Sequence, residues 1–309
     1  MTSSRLRAYL ILAVMPLLFA SNLAIGRAAI DIVPPWTLAF MRWSLAALVL
    51  LPFAWSGVRQ NAKAIIAEWP RFALLGFLGM WICGGIVYLA LTITTATHAM
   101  LIYTSSPPMV VLLAAILARK PLPLSRLLGI VLAITGVAVT ASRGNLAGVL
   151  NLDLNLGDLG IFICATSWAI YSLVLKRRAF EAIPTIASFF VIAAVGTLML
   201  LPCMLYEIAT VGGFPASQKA WASIAGLVIF ASVLSYSSYQ YSVRTIGPSI
   251  TSIFMYLMPA YGIVLAVFFL GESFRLYHAI GLALAIGGVV LATGSDILAG
   301  LARRRGSAA

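Results

Sequence analysis

The sequence predicts an all-α integral membrane protein. It reads as ten transmembrane helices in two inverted five-helix repeats, with both termini cytoplasmic. Three observations carry this: an apolar composition, a one-sided distribution of basic residues, and an internal repeat near 150 residues. The 309-residue chain is 62% hydrophobic and only 9% charged, with mean hydropathy +1.05. Soluble proteins average about 45–50% apolar and about 25% charged. Too little polar surface remains to cover a soluble globule of 32.9 kDa. The same composition excludes a disordered chain, a coiled coil and a secreted disulfide scaffold. At about 20 apolar residues per span, ten spans and short loops use up the chain.

The apolar runs lie at 8–27, 36–55, 71–93, 97–118, 126–142, 157–176, 185–207, 220–242, 247–270 and 276–297. Charges, Pro or Gly bound each of them. Span 1 follows Arg5 and Arg7 and so mimics a signal peptide; nine further spans behind it make it an uncleaved first helix. With the N-terminus inside, 15 basic residues fall in cytoplasmic segments: Arg5, Arg7, Arg59, Lys63, Arg71, Arg119, Lys120, Arg126, Lys176, Arg177, Arg178, Arg244, Arg303, Arg304 and Arg305. Only four fall outside: Arg27, Arg143, Lys219 and Arg275. That asymmetry is the positive-inside bias of a membrane protein. It accounts for the net charge of +12 without nucleic acid. Cys83, Cys164 and Cys203 each sit in an apolar run and read as packing residues, not a disulfide framework.

The chain resembles itself. Tyr88 and Pro108 recur as Tyr239 and Pro259, at offset 151. Gly129 and Gly136-Val137 recur as Gly281 and Gly288-Val289, at offset 152, and Pro35 recurs as Pro184, at offset 149. A repeat of five helices is odd, so the second copy enters from the opposite side. The boundaries read as 1–142 for the first repeat, 143–156 for an extracytoplasmic linker, 157–298 for the second repeat and 299–309 for a basic cytoplasmic tail. Inverted repeats are characteristic of secondary transporters, whose substrate sits near the midplane between the copies. Arg119-Lys120 follows span 4 and Gly271-Glu272 follows span 9, a charge difference that suits turns on opposite sides.

The segments LLFASNLAIG, PPWTLAFMRWSLAAL, GDLGIFICATSWAIYSLVLKR and MPAYGIVLAVFFLGESFRLYHAIGLALAIGGVVL resemble the EamA-type repeats of the drug/metabolite transporter superfamily. Among its members the chain looks most like the bacterial aromatic amino acid exporters. Pro259, Gly271-Glu272 and Gly287-Gly288-Val289 match the family's positions; the first copy departs, with Arg119-Lys120 where Gly-Glu is usual. The resemblance implies ten helices around a central cavity and export of metabolites.

Polar and aromatic residues inside spans are the functional candidates. As substrate-binding residues we single out Asn22, Arg42, Trp81, Tyr88, Tyr103, Trp168, Ser235, Tyr236, Tyr239 and Met255. An aromatic wall suits an apolar or aromatic substrate side chain. The same residue types also cement helix contacts and form interfacial belts. Mid-span Trp168, flanked by Ser167 and Tyr171, favours the cavity. Spans 5 and 10 are nearly pure small and aliphatic residues and read as scaffold.

Pro107, Pro108 and Pro259 break their helices at matching depths and read as hinges. A proline frees the carbonyl four residues earlier, here those of Tyr103, Thr104 and Met255. Those carbonyls either accept a substrate ammonium or mark plain kinks. Arg42 is the only unambiguous charge inside a span. It either binds a substrate carboxylate or snorkels outward and pairs with Asp31 or Asp158.

Several chemistries have no residues to carry them. No P-loop is present, and His98 and His278 have no metal-ligand spacing, so neither cofactor nor metal is expected. All four lysines lie at span ends, and no polar catalytic cluster suggests an enzyme. A channel would want a charged ring, a lipophilic-cation exporter a buried carboxylate, and a phosphorylated-metabolite carrier several cavity cations. The eight acids, Asp31, Glu68, Asp153, Asp158, Glu181, Glu207, Glu272 and Asp296, lie in loops or near span ends. The resulting expectation is a monomeric amino acid exporter of the bacterial inner membrane, aromatic and other neutral substrates first, working as a uniporter.

Overall fold

The computed structural model describes residues 3–95, 99, 102–142, 144, 155–176, 180, 182–259, 261 and 275–305. Expectations placed on His98, Arg143, Asp153, Arg177, Arg178, Glu181 and Gly271-Glu272 lie outside the described residues. So do those on most of the 143–156 linker, most of 260–270 and the last four residues of the tail.

In chain order the helices are α1 (Ser3–Ala29), α2 (Pro35–Gln60), α3 (Trp69–Leu91), α4 (Ser106–Ala118) and α5 (Leu124–Ala141). They continue with α6 (Leu156–Leu175), α7 (Thr185–Thr210), α8 (Gln218–Ile246), α9 (Pro248–Leu257) and α10 (Leu276–Arg305). A short helix, Ala62–Ala67, joins α2 to α3. No strand occurs among the described residues. Seven helices, α1, α2, α3, α6, α7, α8 and α10, are long and apolar enough to cross a membrane. The apolar helices α4, α5 and α9 are shorter.

Local chemistry sets the ends. Pro35 and Pro248 stand in the first turns of α2 and α9, where a missing N–H costs nothing. Asn155 and Asp158 form a reciprocal capping box at α6, and the Ser217 hydroxyl accepts from the Ala220 N–H at α8. The structure places a break beside Pro107 and Pro108. The sequence places them inside one span at 97–118, but α4 begins at Ser106 and carries them in its first turn. Residues 102–103 are helical and 104–105 form a turn, so the run is broken just before the two prolines. Arg119, in the left-handed region at φ 51°, ends α4.

Glycines set the closest helix contacts. A Cβ on Gly129 would fall 2.6 Å from the Ala292 nitrogen and the Gly288 oxygen. One on Gly136 would fall 2.6 Å from the Ala285 nitrogen and the Gly281 oxygen. So Gly129 meets Gly288 while Gly136 meets Gly281: α5 and α10 run antiparallel with backbones in direct contact. α2 and α7 are also antiparallel, because Gly57 packs on Ala187 while Trp36 and Thr37 meet Glu207. A Cβ on Gly76 would fall 2.9 Å from the Gly196 nitrogen, which brings α3 against α7.

Candidate functional site

Two helices carry a rare backbone form at corresponding places. Phe77–Ile86 of α3 and Leu227–Leu234 of α8 are π-helical, and they begin 150 residues apart. A π-turn leaves backbone groups out of α-helical register and recurs at functional sites. In α8 the Ser232 hydroxyl bonds back to the Leu227 carbonyl, five residues earlier, at 3.0 Å. Next to it the Ala231 carbonyl is turned toward a neighbouring helix.

Arg42 of α2 fills that opening. Its Nε donates to Ser232 Oγ at 2.6 Å and its Nη2 to the Ala231 carbonyl at 2.8 Å. Its Nη1 donates to Tyr88 Oη at 2.8 Å and to Asn22 Oδ1 at 3.0 Å. The Tyr88 hydroxyl donates in turn to Asn22 Oδ1 at 2.9 Å. The guanidinium carbon lies 4.7 Å from the Trp43 ring and 5.9 Å from the rings of Tyr88 and Tyr236. Arg42 is 0% exposed and forms no salt bridge among the described residues.

Both structural readings of Arg42 therefore fail. It does not snorkel, and its two expected acids are engaged elsewhere. Asp31 pairs with Arg27 at 3.0 Å. Asp158 accepts from the Thr94 hydroxyl and the Asn155 N–H. A buried charge is costly unless compensated, and here only neutral dipoles and ring faces compensate it.

An aromatic cluster adjoins this cation. Trp168 of α6 stacks on Tyr171 at 5.3 Å and meets Tyr236 edge-on at 5.3 Å and Tyr239 at 4.6 Å. Phe19 of α1 meets Trp168 at 5.6 Å. Tyr236 stacks on Phe189 of α7 at 5.9 Å and stands edge-on to Trp43 at 4.8 Å. Tyr239 shares a 2.6 Å hydrogen bond with Ser172, and the Ser235 hydroxyl donates to the Ala231 carbonyl at 2.7 Å. Phe19 and Trp168 are 149 residues apart, the offset of Pro35 and Pro184. Two residues at that offset thus touch at the cluster's centre.

Of the sequence candidates, Asn22, Arg42, Tyr88, Trp168, Ser235, Tyr236 and Tyr239 come together here. Tyr103, just before α4, reaches the Cys83 thiol in the π segment of α3. Trp81 does not join the cluster: it packs against Trp36 at 5.4 Å and Phe77 at 5.2 Å. Met255 lies in the 3₁₀ turn Phe254–Leu257 just before Pro259. Two carbonyls expected to await an ammonium have protein partners. Thr104's accepts from the Tyr256 hydroxyl at 3.2 Å, and Met255's accepts from the Met258 N–H.

Sequence reasoning missed Phe19, Trp43, Ser172, Phe189 and Ser232. Phe19 was findable as the offset partner of Trp168; the others had no signal beyond a place inside a span. It also missed Glu207, whose carboxylate accepts from the Trp36 N–H at 3.1 Å, the Thr37 N–H at 2.7 Å and the Thr37 hydroxyl at 2.8 Å. Away from the cluster, a pocket of about 280 Å³ opens among Leu175, Lys176, Phe180, Thr185, Tyr241 and Arg244.

The family model for the EamA-like transporter family matches residues 6–142 and 155–294. The chain belongs to the EamA-like transporter family. This EamA-like chain is 25% identical over 296 residues to the uncharacterized transporter YyaM of Bacillus subtilis (strain 168), covering 94% of each. It is 26% identical to an uncharacterized transporter of Archaeoglobus fulgidus, covering 93% of this chain and 97% of that one. It is 22% identical to the uncharacterized inner membrane transporter YedA of Escherichia coli (strain K12), covering 90% and 87%. A solved structure described only as that of a protein superposes with TM-score 0.76 at 22% identity, covering 97% of this chain and 99% of the other. That likeness concerns the fold. This EamA-like transporter is a multi-pass membrane protein that moves a small molecule.

Proposed function

We propose that the chain exports amino acids, aromatic and other neutral ones first, across the bacterial inner membrane by alternating access. The observation that carries this is the pairing of an aromatic cluster with a buried arginine that has no acid partner among the described residues. A ring stacked in such a cluster gains about 0.5–1.5 kcal/mol beyond its area burial. A carboxylate at the arginine forms a charge-assisted hydrogen bond, about twice as strong as a neutral one.

The proposal includes ten spans in two inverted repeats, 1–142 and 157–298, with both termini cytoplasmic, and a monomeric carrier. The reciprocal glycine contacts of α5 and α10 support the inversion. Corresponding residues meeting crosswise on antiparallel helices is the relation a two-fold axis lying in the membrane plane produces. The π segments of α3 and α8, at offset 150, support the repeat. In this orientation the pocket beside Lys176 and Arg244 faces the cytoplasm, the side from which an exporter loads. The Glu207 and Asp158 contacts tie helices together at the outer end. One cation at the cluster, Arg42, argues against a carrier of phosphorylated metabolites.

Uptake and efflux of labelled phenylalanine in proteoliposomes test the reading. Protein-dependent flux, inhibited by excess unlabelled neutral amino acids, is the expected result. Flux no greater than in protein-free liposomes overturns it.

A further inference from the structure

We infer that this site reads the ring and the carboxylate of its substrate but not an α-amino group. It then takes aromatic monocarboxylates at least as well as the zwitterionic amino acids. The inference rests on the site proposed above and deepens it in substrate class.

The argument comes from what hydrogen-bonding capacity is left around Arg42. A carbonyl or amide oxygen has two lone pairs. The Ala231 carbonyl accepts from Arg42 Nη2 and from Ser235 Oγ, so it is filled. Asn22 Oδ1 accepts from Arg42 Nη1 and from the Tyr88 hydroxyl, so it too is filled. Ser232 Oγ accepts from Arg42 Nε and spends its proton on the Leu227 carbonyl. What remains is mainly donor capacity, beside one lone pair on Ser232 Oγ. The two bonds to Asn22 Oδ1 fix the amide's orientation, and its Nδ2 makes no hydrogen bond among the described residues. Trp43 Nε1 is buried without a partner but packs against Gly84, where a Cβ would fall 2.3 Å from it, so it adds no donor here. The Tyr236 hydroxyl can turn to donate. The guanidinium charge adds to this donor excess.

An ammonium on the carbon next to a bound carboxylate would meet that same surface. The buried carboxylates are not available to it. Glu207 already accepts three bonds at the start of α2, five residues from Arg42 and so about 7.5 Å along the axis. Asp158 is engaged with Thr94 and Asn155, ten residues before Trp168, about 15 Å along α6. Gln240 Oε1 is a buried, unpartnered acceptor. It stands eight residues beyond Ser232, about 12 Å along α8, out of reach of an amino group held beside Arg42. An ammonium there finds a like charge and, among the described residues, only hydroxyl oxygens as acceptors, which disfavours it.

Three probes share a ring and a two-carbon tether and differ in head group: L-phenylalanine, 3-phenylpropionate and 2-phenylethylamine. Titration calorimetry on the purified full-length chain compares them. The expected result is a phenylpropionate Kd no more than about threefold above that of phenylalanine, with phenylethylamine at least about tenfold weaker than phenylpropionate. Phenylalanine binding with phenylpropionate more than about threefold weaker overturns the inference and leaves the amino acid site standing. Phenylethylamine within about tenfold of phenylpropionate overturns the carboxylate reading itself. Failure of both acids to bind removes the site and the inference together. Arg42→Gln should weaken phenylpropionate at least about tenfold, with partial recovery in Arg42→Lys. Unchanged affinity in a folded Arg42→Gln protein overturns the assignment to Arg42.

Discussion

Replacing Arg42 with glutamine should separate a binding role from a structural one. The change ends four hydrogen bonds, of 2.6, 2.8, 2.8 and 3.0 Å. The partners it leaves are nonetheless not stranded. Tyr88 and Asn22 keep their mutual bond, Ala231 keeps Ser235, and Ser232 keeps Leu227. The change also removes a fully buried charge without a counter-ion, whose desolvation penalty is several kcal/mol. These terms oppose each other, so net stability should move by no more than about 1–2 kcal/mol. Ligand affinity has no such offset. A net loss of about 1.5–3 kcal/mol for a charge-assisted bond is about 10–150-fold at 1.4 kcal/mol per decade. The assay is half-saturation of labelled phenylalanine counterflow in proteoliposomes, with the thermal midpoint measured on the same preparation. A shift below about threefold with the midpoint unchanged would refute the reasoning, as would collapse of the fold.

Four further outcomes are expected. Single cysteines in the 143–157 loop should label from outside and those in 176–184 from inside; labelling of both from one side ends the inverted repeat. Trp168→Ala should lower aromatic flux and, because four rings enclose this side chain, cost about 3–5 kcal/mol of stability; an unchanged thermal midpoint contradicts that packing. Gly288→Val should prevent assembly, since even a Cβ there would lie 2.5 Å from the Ala133 nitrogen and the Gly129 oxygen; normal yield and flux would disprove the contact. Glu207→Ala should cost about 0.5–2 kcal/mol by leaving the first turn of α2 without its acceptor, measured as a fall in thermal midpoint that Glu207→Gln partly restores.

The helices were legible because hydropathy reports directly on a membrane environment. The span read at 157–176 is observed as Leu156–Leu175 and that at 185–207 as Thr185–Thr210. The gathering of Trp168, Tyr236, Tyr239, Tyr88 and Arg42 was partly legible, because polar and aromatic residues in an apolar span need a reason to be there. The π segments were not, since an i→i+5 ladder leaves no mark on hydropathy. Glu207 was not either: its partners are 170 residues away in sequence, and nothing local to Glu207 or Thr37 announces the pairing. Trp81 was misplaced because depth in a span does not say which helix face a ring occupies. Pro107 and Pro108 were legible as a break in an apolar run, but not on which side of them the helix resumes.

The two proposed repeats share π segments at offset 150 but not a chemistry. Arg42 has Val191 at offset 149, and Ala231-Ser232 have Trp81-Ile82 at offset 150. In the first half the π segment exposes the Ile82 carbonyl, and a thiol, Cys164 Sγ at 3.4 Å, takes it. In the second half a guanidinium takes the Ala231 carbonyl, the counterpart of Trp81's, one residue earlier in the segment. The proposed inverted repeat would make the two access states near-copies of one packing with the halves exchanged, which would keep them close in energy. The charge is the part that is not exchanged. It stays on α2, held by dipoles from α1, α3 and α8. Those resident dipoles solvate Arg42 without help from substrate, so returning the unloaded carrier does not strand a bare cation. The proposed uniport cycle needs that return step, and an obligatory exchanger lacks it. Net efflux of phenylalanine into substrate-free medium, with no pH gradient and at a rate comparable to exchange, is therefore the expected behaviour. Flux that requires substrate on both sides would place the charge's compensation in the ligand, against the geometry around Arg42.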